Sequence, residues 1–214
     1  NGNIRQIFWH IRSQRCILAG GATERPIAFS NNDRPGIMLA GAVRTYVNRF
    51  GVSPGKRVAI FTNNDDGWAT AKDLHAAGVE ITAIIDSRSD CQKTPPAGVP
   101  CVLGGHVVDS KGRLGLSSIL INNGTRIPAD CLAISGGWSP NVHLTCHHRG
   151  RPVWSDSIAG FVPGRTLPDG MLVAGAANGA LGLASCLKGG IRAGQRAARD
   201  LGVKPANTKA PRAS

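Results

Sequence analysis

At 214 residues with 42% hydrophobic side chains, the chain holds enough apolar material for one large folded domain or two small ones, which excludes an intrinsically disordered protein. Its net charge of +12 invites a polyanion, yet the basic residues are spread along the sequence, no nucleic-acid recognition module accompanies them, and aromatics are only 5%; a partner subunit or an anionic cofactor accounts for the excess, and nucleic acid is not an expected partner. Six scattered cysteines without a C-x-x-C pair, no signal-peptide pattern and no apolar run near the roughly 18 residues of a membrane span point to free thiols in a cytoplasmic protein with no membrane partner.

Asn1-Gly2-Asn3 is a hairpin-type turn, and Ile7, Trp9 and Ile11 alternate with Phe8, His10 and Arg12, so a β-hairpin arm is expected over 4–12. The chain does not open on methionine and reads as cut at this end. Arg15 to Ala19 predicts a buried strand ending in Gly20-Gly21-Ala22, small residues that suit either the edge of a cofactor site or a bare tight turn. Pro26, Asn31-Asn32-Asp33 and Pro35 mark a crossing segment with a domain boundary near Arg34. Leu39, Val43, Tyr46 and Phe50 then fall at i, i+4, i+7 and i+11, predicting a helix with Pro35 near its first position and Gly51 as its stop.

Lys56 to Arg88 holds the clearest pattern. Val58 to Phe61 reads as a buried strand, Trp68 to Ala77 as a helix and Glu80 to Ile85 as a second strand, a βαβ unit whose loop Thr62 to Gly67 lies where open parallel sheets bind ligands. That loop is a poor phosphate site. It offers Asn63, Asn64, Asp65, Asp66 and one glycine where a dinucleotide loop needs several glycines and free N–H groups, and the two carboxylates are expected to satisfy the helix dipole and its orphan donors. Any dinucleotide is expected elsewhere.

Cys91 to Pro100 reads as a loop, followed by short strands around His106 to Val108 and Leu116 to Ile121, a turn over Asn122 to Thr125, and an apolar run from Ile127 to Ile134. Ser135 to Asn141 is a second crossing segment. His143, Cys146, His147 and His148 crowd together but lack the second ligand pair of a structural zinc site, so a polar turn is expected and no metal. Met171 to Ala174 predicts a strand. From it Gly175-Ala176-Ala177-Asn178-Gly179-Ala180 leads into a helix with Leu183, Leu187, Ile191, Gly194, Ala198 and Leu201 on one face. The small residues either admit a cofactor to the helix N-terminus or let helix and strand pack closely. Arg192, Arg196 and Arg199 form a basic stripe on the opposite side, read as a solvated face or a subunit contact. Neither His75 nor His106 has an evident acidic partner, so no catalytic residue is assigned.

The stretches Gly21-Ala22-Thr23-Glu24-Arg25-Pro26, Asn31 to Val52, Phe61 to Asp66, Ser135 to Leu144 and Val173 to Cys186 together resemble the α subunits of heterotetrameric sarcosine oxidases, within the two-dinucleotide-fold flavoprotein oxidoreductases. The resemblance implies an α/β Rossmann-like FAD/NAD(P)-binding fold into which a second nucleotide-binding-like domain is inserted. Residues 1–34 would be part of the outer domain, whose N-terminal portion is missing. Residues 35–138 would be the insertion, 139–201 the return to the outer domain, and 202–214 a disordered tail. Gly20 stands where a threonine is usual, and Ala176 where related reductases carry an aspartate.

The resemblance further implies a noncatalytic NAD, with FAD as the alternative, in the outer domain, lined by Ala176, Leu181 and Leu183, the last often threonine in relatives. With Gly20, Gly21, Ala22, Gly175 and Ala177 these form the candidate cofactor site. It implies FAD and FMN elsewhere in a hetero-oligomeric oxidase that converts sarcosine to glycine and formaldehyde with release of hydrogen peroxide, other subunits as partners, and a chain inactive by itself. Alternatives are a subunit of an opine oxidase, hydrogen cyanide synthase or amino-acid dehydrogenase, or a noncatalytic assembly module with vestigial nucleotide sites.

Overall fold

The computed structural model describes residues 5–206 and 208–211. In chain order the elements are β1 (Cys16–Leu18), β2 (Ala22–Glu24), β3 (Ile37–Leu39), α1 (Ala40–Phe50), β4 (Arg57–Thr62), α2 (Asp65–Ala76), β5 (Glu80–Asp86), β6 (Cys101–Leu103), β7 (Val107–Lys111), β8 (Ser118–Ile121), β9 (Arg126–Pro128), β10 (Cys131–Ser135), β11 (Trp138–Pro140), β12 (Val153–Ser155), β13 (Gly160–Val162), β14 (Met171–Val173) and α3 (Leu183–Asp200). The chain divides into two compact units. An inner unit, Glu24–Ser139, is contiguous, and an outer unit is made of Asn1–Thr23 and Pro140–Ser214.

The inner unit is built on a five-stranded parallel sheet in the order β3-β10-β4-β5-β6. Its central strands are apolar on both faces because both are covered. Side chains alternate along each strand: Val58, Ile60, Ile84, Cys131 and Ala133 pack with Val43 of α1 and with Trp68, Ala71 and Leu74 of α2. Ala59, Phe61, Ala83, Ile85, Leu132 and Ile134 face the other way, against Val107, Ile119, Ile121 and Ile127. Those last residues belong to the antiparallel meander β7-β8-β9. The Cys131 thiol is buried here, and burial together with nearby Asp130 pushes its pKa up to about 12.

The outer unit has three small parts. β1 and β14 pair in parallel, Cys16 opposite Met171 and Leu18 opposite Val173. α3 packs against them, and Arg15 pairs with Asp200 at its end, 3.1 Å apart. β12 and β13 form an antiparallel hairpin on which Trp154 and Phe161 stack edge to face. β2 and β11, on the two crossings, pair with each other.

The sequence reading and the structure differ in places. Residues 5–15 contain no strand: Ile7, Phe8, Trp9 and Ile11 are exposed, because alternation without a neighbouring strand buries nothing; Asn1-Gly2-Asn3 lies outside the described residues. Ile37 to Leu39 forms a strand, so Pro35 precedes β3 and the helix starts at Ala40, with Gly51 in the left-handed conformation at its end. The inner unit begins at Glu24, ahead of the boundary placed near Arg34. Cys16 and Ile17 of β1 are exposed, and α3 buries Ala193 while Leu183 and Leu201 stay outside. Expected tail disorder falls partly on 207 and 212–214, outside the described residues.

The start of α2 rests directly on the end of β4. A Cβ on Gly67 would stand 2.4 Å from Thr62 Cβ and 2.5 Å from its Oγ1, and Thr62 is itself fully buried. Gly67→Ala is therefore expected to destabilise the chain by about 1–3 kcal/mol, read as a lower urea midpoint at unchanged slope.

Candidate functional site

The carboxyl ends of β4 and β10 meet at Thr62 and Ser135, the position where a parallel sheet offers a ligand crevice. Here the chain closes that crevice with its own polar groups. The Thr62 hydroxyl accepts the Asn64 N–H at 3.1 Å and lies 2.9 Å from the Asn64 carbonyl. Asn64 caps α2, its side-chain oxygen accepting the Asp66 N–H at 2.9 Å while its amide donates to the Ser135 carbonyl at 2.9 Å. The cap is thus Asn64, not the two aspartates expected from the sequence. Asp65 pairs with Arg88 and Lys93, both at 3.0 Å, and Asp66 accepts from Arg44 at 3.3 Å and from Trp138 Nε1 at 2.6 Å.

Asp86 ends β5, where a dinucleotide fold keeps the acidic residue that binds ribose. It is fully buried and already engaged. Oδ2 accepts Trp68 Nε1 at 2.7 Å and an Arg88 guanidinium nitrogen at 2.8 Å; Oδ1 accepts the Arg88 N–H at 3.0 Å and its Nε at 3.1 Å. Burial pushes the carboxyl up, but the bonds from Arg88 and Trp68 outweigh it and hold the pKa below the ordinary value. Arg88 is in turn kept firmly charged, chiefly by its hydrogen bonds to Asp86. Trp68, only 2% exposed, fills the space beside the carboxylate. The sequence reading missed this clamp, although an acidic residue closing the second strand of a βαβ unit was the signal for it.

Glu24 completes the crevice from the side of α1. One carboxylate oxygen accepts the Gly41 N–H at 2.9 Å; the other is buried without a well-formed hydrogen bond. Burial raises its pKa, with Asp66 adding to the effect and the Gly41 N–H and Arg44 opposing it.

In the outer unit the candidate residues emerge from the carboxyl ends of two adjacent parallel strands. Gly20 and Gly21 follow β1 and Gly175 to Ala177 follow β14, with the Ala174 N–H bonded to the Leu18 carbonyl at 2.9 Å. Gly21 and Gly175 both have positive φ, +72° and +67°, which glycine alone adopts without strain. The Gly20 and Gly21 carbonyls accept from Asn141, and Ala22 begins β2. Ala177 is buried, Leu181 and Leu183 are exposed, and Leu183 opens α3. Gly182 caps that helix without a side-chain hydrogen bond, and its first turn holds no acidic residue. A Cβ on Gly21 would meet nothing within 4 Å.

His143 and Cys146 lie on a 3₁₀ segment that breaks at His147 and His148, and all four are exposed. Among the described residues no group of three or more His, Cys, Asp or Glu could hold a metal ion, and no ion pair involves a histidine. A shallow depression lined by Ser53, Gly55, Lys56 and Glu80 sits at the amino ends of β4 and β5, away from the crevice.

The two buried carboxylates carry opposite pH signatures. Asp86 is more acidic folded than unfolded, so its contribution is complete at neutral pH and is lost as pH falls through 3.8 toward the lower folded value. Asp86→Asn should therefore flatten the acid limb of the stability curve, and Trp68→Phe should cost about 1.5–3 kcal/mol at pH 7 in urea unfolding. Glu24 is less acidic folded than unfolded, so stability is lost as pH rises from 4.5 through the raised folded value. Glu24→Gln is expected to raise the melting temperature at pH 7, with the gain disappearing below pH 4.5.

No family model matches the sequence. Among curated proteins, sarcosine oxidase subunit alpha of Rhizobium meliloti (strain 1021) is 44% identical over 205 residues, covering 92% of this chain and 20% of the relative. The subunit alpha of Corynebacterium sp. (strain P-1) is 40% identical over 218 residues, covering 95% and 22%. The chain spans about a fifth of the length of these relatives. Among solved structures, L-proline dehydrogenase from P. horikoshii superposes with a TM-score of 0.69 at 20% identity, covering 90% of this chain and 36% of that one. Thioredoxin reductase from Lactococcus lactis does so with 0.63 at 13% identity, covering 86% and 64%. These two show the fold: α/β, of the Rossmann-like kind found in FAD/NAD(P)-binding oxidoreductases. Over nearly its whole length, then, the chain is a homologue of one segment of sarcosine oxidase subunit alpha.

Proposed function

We propose that this chain is part of the α subunit of a multisubunit amine oxidoreductase of the sarcosine oxidase kind, in which the inner unit is scaffold and the outer unit holds a dinucleotide, NAD in preference to FAD. The observation that carries this reading is the contrast between two strand ends. In the inner unit the helix start is capped by Asn64, and Asp86, the carboxylate at the strand end where dinucleotide folds bind ribose, is bonded to Trp68 and Arg88. In the outer unit Gly20, Gly21, Ala22 and Gly175 to Ala177 carry small side chains or none at two strand ends, and α3 starts with no side-chain cap and no acidic residue. An anion is favoured at the second and excluded from the first.

The residues fit a dinucleotide in a simple way. The first-turn N–H groups of α3 would face the diphosphate, Gly21 and Gly175 would let it approach the backbone, and Leu181 and Leu183 would give apolar contact to a ring. A nicotinamide dinucleotide supplies hydride chemistry when bound, but among the described residues no group is placed to act as a general base or nucleophile beside it, so its role here is structural. Substrate oxidation, flavins and the peroxide-forming step belong to other parts of the complex, and this chain alone is catalytically silent.

Binding to the native state alone must stabilise it, by about 1.4 kcal/mol at roughly ten times Kd. Saturating NAD is expected to raise the melting temperature by a few degrees. Ala176→Glu should abolish the shift, while Asp65→Asn in the inner unit should leave it unchanged. A shift that survives Ala176→Glu and grows in Asp65→Asn would reverse the assignment of scaffold and pocket. No shift with NAD or FAD in a well-folded chain would favour an assembly module with vestigial sites.

A further inference from the structure

Two cysteines lie at the corner of the inner sheet that the Asp86 clamp occupies. Cys101 opens β6 opposite Ile84 of β5, and Ile84 and Asp86, two residues apart on that strand, face the same side. Cys91 lies in the loop joining the two strands. Its Sγ accepts from an Arg88 guanidinium nitrogen at 3.5 Å, the same nitrogen that reaches Asp86 Oδ2 at 2.8 Å. Cys91 and Cys101 also pack against one apolar cluster, with Trp68 and Ile84 among its buried members. Both thiols are free and half-buried, within reach of a small reagent.

The two sulfurs are not equivalent. Arg88, held charged by Asp86 and Asp65, sets positive charge beside Cys91, the sulfur that has to carry negative charge when it attacks. Burial raises the pKa of Cys101, with Asp86 and Cys91 adding to the effect, which keeps it a thiol and suits it to react second. From Ser87 to Pro100 the backbone is neither helix nor strand, so Cys91 can close on Cys101, which β6 holds in place. We propose that Cys91 and Cys101 form a peroxide-sensitive pair, in which hydrogen peroxide oxidises Cys91 and Cys101 resolves it as a disulfide. The Cys91 thiolate attacks one peroxide oxygen; the S–O bond forms, the O–O bond breaks, and the departing hydroxide takes a proton and leaves as water, giving a sulfenic acid. Cys101 then gives up its proton and attacks the Cys91 sulfur; the S–S bond forms, the S–O bond breaks, and a second water leaves. The sulfurs lose the electron pair that the peroxide oxygens gain. None of this depends on dinucleotide binding.

The test treats the full chain with limiting hydrogen peroxide at neutral pH, blocks the remaining thiols with iodoacetamide and maps the peptides by mass spectrometry. A link between Cys91 and Cys101 is expected, reversible by dithiothreitol and formed at least about fivefold faster than oxidation of the exposed controls Cys16 and Cys146. In Cys101→Ser the reaction should stop at a Cys91 sulfenic acid that dimedone labels, whereas Cys91→Ser should leave Cys101 reduced. Arg88→Gln should slow Cys91 at least about threefold without changing Cys16, and Arg88→Lys should recover most of the rate. Oxidation of Cys16 or Cys146 ahead of Cys91 would overturn the proposal. So would a parent chain in which Cys91 proceeds to sulfinic acid while Cys101 stays reduced. Cys91 reacting as fast in Arg88→Gln as in the parent would remove the part given to Arg88. Should Arg88→Gln melt lower than the parent, Arg88→Lys and the two serine variants decide the outcome.

Discussion

The carboxylate of Asp86 has no water to turn to. Fully buried at the end of β5, it is tolerable only because Trp68 and Arg88 surround it with four hydrogen bonds, and everything near the sheet's ligand end follows from that requirement. Trp68 has to lie in the first turns of α2 with its indole nitrogen turned toward β5. Arg88 has to fold back over the strand end, where its second hand reaches Asp65. A group that elsewhere in this fold class greets a ribose is here an internal fastener, bonded to Trp68 and Arg88.

The same end of the sheet shows how tightly the rest is drawn in. Gly67 has space for no Cβ because Thr62 already fills it, and Gly136 approaches the Arg25 and Pro26 carbonyls closely enough that a Cβ would stand 2.6 Å from the first. Arg44 bridges α1 to Asp66 and Asp73 on α2, and Asn48 adds a second bond to Asp73. Such pairs on a half-exposed surface contribute little each, but they fix two helices whose apolar sides are already buried against β4 and β10. Electrostatics here completes a geometry that hydrophobic packing has set.

Sequence patterning reached the β4-α2-β5 core because both periodicities are clean there: continuous branched runs for strands buried on both faces, and helical spacing between them. It failed where an element depends on a distant partner. Ile37 to Leu39 runs straight into the periodicity of α1, and only pairing with β10, nearly a hundred residues on, makes it a strand. Ile7 to Arg12 alternates well and has no strand beside it among the described residues. The loop was found, but its contacts were not: Asn64, rather than Asp65 and Asp66, caps the helix, the two aspartates pair with Arg88, Lys93 and Arg44, and Trp68 holds Asp86 behind them. Partners separated by some twenty residues across a strand leave no periodic trace.

Charge was also illegible in one dimension. Counted along the chain, basic residues look evenly sown, because the outer unit is made from the two ends of the sequence with the inner unit between them. Folding gathers the ends and sorts the charge: acidic side chains of the inner unit face its own arginines and lysines, while the outer unit keeps cations for which it has too few acids. An unbalanced surface of that kind raises the energy of the isolated unit through self-repulsion and lowers it once anions arrive. α3, with Lys188, Arg192, Arg196 and Arg199 exposed and Asp200 its one acidic residue, is where that imbalance is most ordered.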